Sequence, residues 1–60
     1  MNAVFTFIKD VETGTMKQLV VPADTISERF ENGQTWFVAW KGEWIVAMVN
    51  AQYIVSCYLM

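Results

Sequence analysis

Sixty residues carry four Lys or Arg against six Asp or Glu, a net charge of −2, with one cysteine, no histidine and 55% apolar residues. A chain this short buries only about 60% of the surface its unfolded form exposes, so its own core is marginal and a staple is expected. The lone Cys57 rules out an intrachain disulfide, and one thiolate plus carboxylates make a poor zinc ligand set, so oligomerisation is the staple that remains.

From the N-terminus, Ala3 to Lys9 (AVFTFIK) is β-branched and aromatic, Asp10 to Gly14 supplies turn chemistry, and Thr15 to Val21 is extended again. The pattern predicts a β-hairpin with Phe5 and Phe7 on one side and Val4, Thr6 and Ile8 on the other. Pro22 then ends the second strand, having no N–H for a ladder. Thr25-Ile26-Ser27-Glu28 matches a capping box, with Asp24 as a rival cap. Ile26 and Phe30 are four apart, and Gly33 after Asn32 reads as a left-handed stop. These features predict a short helix of about eight residues, too short to persist unless a sheet holds it.

The last 26 residues, from Thr35, hold all three tryptophans, both tyrosines, Cys57 and only two charges, Lys41 and Glu43. A helical stripe through Trp44, Ala47, Met48, Ala51, Val55, Tyr58 and Leu59 competes with strands, which the content of Ile, Val, Trp and Tyr favours. Tight turns at Lys41-Gly42 and Asn50-Ala51 would make three strands. Strict alternation then puts Phe37, Ala39, Trp44, Val46, Met48, Tyr53, Val55, Cys57 and Leu59 on one face, the bed for the helix. Trp36, Val38, Trp40, Glu43, Ile45, Ala47, Val49, Gln52, Ile54, Ser56 and Tyr58 share the other. The expected fold is α+β, a small single antiparallel sheet in the order ββαβββ with one short helix on one face, residues 1–60 forming a single domain.

Little catalytic chemistry is available. Without histidine no Ser/His/Asp or Cys/His arrangement can form, and three isolated glycines, at 14, 33 and 42, draw no phosphate-cradling loop. Asp24, Glu28 and Glu31 read as a capped, solvated acidic face rather than an acid–base pair. Cys57 lacks a nearby cation to make a thiolate and reads as packing. The expectation is no enzyme, no cofactor, no metal and, with no basic run, no nucleic acid. The N-terminus lacks a basic signal region, and the uncharged stretch from Trp44 to Met60 is interrupted by Asn50, Gln52 and Ser56 with no Lys or Arg after it. A cytoplasmic chain that does not enter a membrane is expected.

The second face is too apolar for solvent, which points to an interface. Trp36, Trp40 and Tyr58 are its candidate anchors, Ile45 and Ile54 its aliphatic centre, and Glu43 and Gln52 its rim. A base-stacking platform would use the same aromatics but lacks a basic rim. Closure of the face by the first hairpin is the competing structural account. The sequence therefore favours a non-catalytic, homodimeric accessory or inhibitor protein of the phage or mobile-element kind, which occludes or sequesters a protein partner. Two alternatives stand beside it: a small-molecule or nucleotide sponge with a pocket at the dimer interface, and a structural subunit of a larger assembly.

Overall fold

A computed structural model describes residues 1–8 and 17–60. Among these, six strands form in chain order: β1 Asn2–Phe7, β2 Gln18–Pro22, β3 Thr25–Glu31, β4 Gln34–Lys41, β5 Trp44–Asn50 and β6 Ile54–Leu59, with a 3-10 turn at Ala51–Tyr53 before β6. They build two three-stranded antiparallel sheets, ordered β2-β1-β6 and β3-β4-β5. The expected α+β fold with a single sheet is thus replaced by an all-β, two-sheet architecture.

The first hairpin forms as its alternation predicts. β1 pairs with β2 from Asn2↔Pro22 to Thr6↔Gln18, and Phe5 and Phe7 face the core. The turn expected at Asp10 to Gly14 lies outside the described residues. Pro22 closes β2, and at Ala23, which is buried, the chain crosses to the second sheet.

The expected helix at Thr25 is instead strand β3, paired over its whole length with β4 from Thr25↔Trp40 to Glu31↔Gln34. The spacing of Ile26 and Phe30 explains the ambiguity: four residues bring side chains together on a helix and, being an even number, also on a strand. Asn32-Gly33 decides the matter. Both residues have positive φ, 55° and 75°, the pattern of a type I′ hairpin turn, which these two residue types favour. A Cβ added at Gly33 would meet nothing within 4 Å, so Gly33→Ala isolates the backbone cost of the left-handed conformation. It should lower stability by about 1–2 kcal/mol, read as a smaller urea midpoint at unchanged slope; an unmoved midpoint would rule out this turn.

Asp24, expected as a helix cap, serves another turn. Its Oδ2 accepts the Gly42 N–H at 3.0 Å, fixing the β4–β5 loop against the inter-sheet crossing. That loop is Gly42-Glu43, flanked by the pair Lys41↔Trp44, one residue later than the expected Lys41-Gly42. A register shift between Ala39 and Trp40 then pairs Trp40 with Ile45 but Ala39 with Ala47, leaving Val46 as the extra residue of a bulge. Beyond it the faces of β5 reverse: Ala47 and Val49 turn to the core and Met48 turns out. The alternation expected for β5 fails here.

Asn50-Ala51 does not make a hairpin. Asn50 Oδ1 accepts the Gln52 N–H at 3.1 Å and caps the 3-10 turn, and Tyr53 carbonyl accepts the Ile8 N–H at 2.8 Å. The chain thereby returns to the first sheet, where β6 pairs with β1 from Ala3↔Leu59 to Phe7↔Ile54. Reciprocal backbone bonds between Asn2 and Met60 of 2.8 and 2.7 Å close its end. The helical alternative for this region does not form, and among the described residues no helix is long and apolar enough to cross a membrane.

Between the sheets Ala3, Phe5, Ala23, Ala39 and Val49 form the buried cluster, with Phe7, Leu19, Val21, Ile26, Phe37, Ala47, Ile54, Cys57 and Leu59 packed on it. Alanine at four of these positions lets the layers approach closely. The Cα positions span 13 Å along the thinnest direction, as two sheets stacked about 10 Å apart require. β5 approaches β2 along one margin of the stack and β3 approaches β6 along the other.

Candidate functional site

Because Phe37 and Ala39 of β4 point inward, alternation turns Trp36, Val38 and Trp40 to the outer face of the second sheet. The register places Arg29, Ser27 and Thr25 beside them on β3, and Asn50, Met48 and Ile45 beside them on β5. Val38 is fully buried although it lies on this outer face. Its same-face neighbours on β4 are the two tryptophans, both half-buried, and two indoles flanking a valine are wide enough to roof it.

The indoles have a direction. Trp40 Nε1 donates to Ser27 Oγ at 2.9 Å and Trp36 Nε1 donates to the Glu31 carbonyl at 3.4 Å. Both rings therefore lean across β3, covering its side of the sheet. The β5 side is left open, with Ile45 45% and Met48 38% exposed. At one end of the face Asn50 Nδ2 donates to Gln34 Oε1 at 2.8 Å, making a polar border. The Arg29–Glu31 ion pair, 3.8 Å long and half exposed, adds little to stability.

Of the residues singled out from the sequence, Trp36, Trp40 and Ile45 share this face. Tyr58 lies elsewhere, on the outer face of the first sheet in a row with Val4 and Val20. Ile54 pairs with Phe7 and packs against the core rather than lining an outer face. Glu43 is exposed in the β4–β5 turn, and Gln52 is exposed in the 3-10 turn, its N–H held by Asn50. Met48, which the expected alternation put inward, joins the tryptophan face through the bulge.

Cys57 is half-buried against the core. Burial pushes its thiol up from the ordinary value, and the negative charge of Glu28 on β3 pushes the same way. Both effects disfavour the thiolate that nucleophilic chemistry needs. Among the described residues no pocket forms, so what this chain presents to a partner is its outer faces and its sheet edges.

Searches of family models, curated proteins and solved structures gave no match to this chain. The functional reading rests on its own residues.

Proposed function

We propose that this chain is a small non-catalytic binding protein, a cytoplasmic homodimer that occludes or sequesters a protein partner in the manner of phage or mobile-element accessory proteins. The outer face of the second sheet carries the reading. It sets two indoles, a buried valine and two open aliphatic side chains side by side on a chain of 60 residues. Tryptophan is enriched at the energetic centres of protein interfaces, and a contiguous apolar patch beyond a few hundred Å² is uncommon on a monomer. The low charge content of the last 26 residues supports a protein partner over a phosphate-bearing one.

The experiment is the mass in solution, by sedimentation or light scattering over a hundredfold range of concentration. A mass that rises from one chain to two supports self-association. A single-chain mass throughout removes the homodimer, and continued growth beyond two chains favours a structural subunit instead.

A further inference from the structure

Among the described residues the edge strands of the two sheets are β2 and β6 in the first and β3 and β5 in the second. An exposed edge offers unpaired N–H and C=O groups to any passing strand, and proteins guard such edges with charge, proline or covering segments. β3 is guarded by Glu28, Arg29 and Glu31. β2 is five residues long and ends in Pro22. β6 (IVSCYL) bears no charge of its own, but the charged β3 runs beside it, near enough for Glu28 to act on the Cys57 thiol. Two copies joined along β6 would bring Glu28 and its counterpart together.

β5 (WIVAMVN) has neither charge nor proline, and its neighbour across the stack, β2 (QLVVP), is uncharged as well. Among the described residues β5 and β2 are the two edges with no charge on them or on the strand beside them, and of these only β5 is longer than five residues and free of proline. It also exposes large apolar side chains: Trp44 is 78% exposed, and Ile45, Val46 and Met48 are exposed too. The tryptophans lean away from it.

We infer that β5 is a self-recognition edge, which pairs antiparallel with β5 of a second copy about a two-fold axis at Met48. The inference rests on the self-association proposed above and names its surface. The ladder phase supplies the centre. The pair Glu31↔Gln34 flanks a two-residue turn and so is the hydrogen-bonded kind, which directs the even-numbered residues of β4 to β3 and Phe37 and Ala39 to β5. The Trp40 carbonyl, bonded to the Asp24 N–H at 2.7 Å, has this direction. Ala47 and Val49 then bond to β4, and the N–H and C=O of Met48 point out of the sheet. A two-fold pairing sets every charge opposite its like, and β5 carries none and has none on the strand beside it, so a second copy meets no repulsion along this edge. That is why the occupant is a second copy rather than a foreign strand. Such pairing sets Val38, Met48 and their counterparts in one outer row. An edge contact of this length falls below the roughly 1,200 Å² of stable interfaces, which predicts a weak dimer of micromolar order.

Sedimentation of three proteins tests it: the natural chain, Met48→Lys and, as the control on the uncharged β6 edge, Ser56→Lys. Met48 is partly exposed and Ser56 exposed, so both variants should fold, which far-ultraviolet circular dichroism checks. The expected result is that Met48→Lys raises the dissociation constant more than tenfold while Ser56→Lys leaves it within twofold. The reverse order, or a dimer insensitive to both, overturns the β5 edge and leaves self-association standing. A natural chain that stays monomeric sinks both. Met48→Cys gives a positive sign that does not depend on disruption. A hydrogen-bonded pair holds its Cα atoms about 5.5 Å apart, within disulfide reach, so mild oxidation should crosslink this variant and not the natural chain, whose Cys57 faces the core. Failure of Met48→Cys to crosslink while it dimerises would overturn the axis.

Discussion

Phe5→Ala should leave the chain largely unfolded at room temperature. Phe5 is the largest of the fully buried side chains and sits on the central strand of its sheet, facing the other layer. Truncating a buried phenylalanine costs about 3–5 kcal/mol, part from lost transfer energy and part from the cavity left behind. A domain of this length has a total stability of about 3–9 kcal/mol at the usual yield per residue, so one side chain accounts for much of the whole. Three other members of the buried cluster, Ala3, Ala23 and Ala39, are alanines with no longer side chain to swing into the gap. Urea denaturation followed by tryptophan fluorescence measures the loss. Phe30→Ala is the control: this ring is 75% exposed near the β3–β4 turn, and its removal should change stability by no more than about 0.5 kcal/mol. Equal midpoints for Phe5→Ala and the natural chain would show that the two sheets do not share the core described here.

These two phenylalanines also show what the sequence disclosed. Phe5 belongs to an alternating run, Val4 to Phe7, whose two sides are legible from their residue types, and the hairpin it predicts is the hairpin that forms. Phe30 belongs to a run in which Ile26 and Phe30 satisfy helix and strand equally. A local motif, the capping box, weighed toward the helix, whereas Asn32-Gly33 carried the stronger turn information. Gly33 signals a left-handed residue under either reading; the positive φ of Asn32 as well makes it a hairpin.

Other features had no local signal. The bulge at Val46 adds one residue and reverses every later side chain of β5, so Met48 could not be placed from alternation alone. The return of β6 to the first sheet depends on pairing with β1, more than forty residues back in the chain. This explains the candidate site. Trp36, Trp40 and Ile45 were legible together because one hairpin joins them. Tyr58 and Ile54 were not, since their position follows from which sheet β6 enters.

Trp40→Ser should act on stability far more than on self-association. The indole lies over Val38 on the outer face, and its N–H is satisfied by Ser27. Removing it exposes Val38 and deletes that hydrogen bond, together about 2 kcal/mol for a half-buried ring. The ring leans toward β3, the side away from the β5 edge, so the dissociation constant of the dimer should change less than tenfold. Met48→Lys should give the opposite balance, a weak effect on the fold and a strong one on pairing. Denaturation at two protein concentrations, alongside sedimentation, separates the two quantities, because pairing makes the apparent stability depend on concentration. A Trp40→Ser chain that keeps its stability but no longer pairs would move the self-interface from the edge to the tryptophan face. The expected pattern would leave that face for a different partner: in the proposed dimer the edge joins two copies and their outer tryptophan faces align as one surface. In that dimer Trp36 and Trp40 would serve twice, as the roof over Val38 within each chain and as the binding surface that the pair presents.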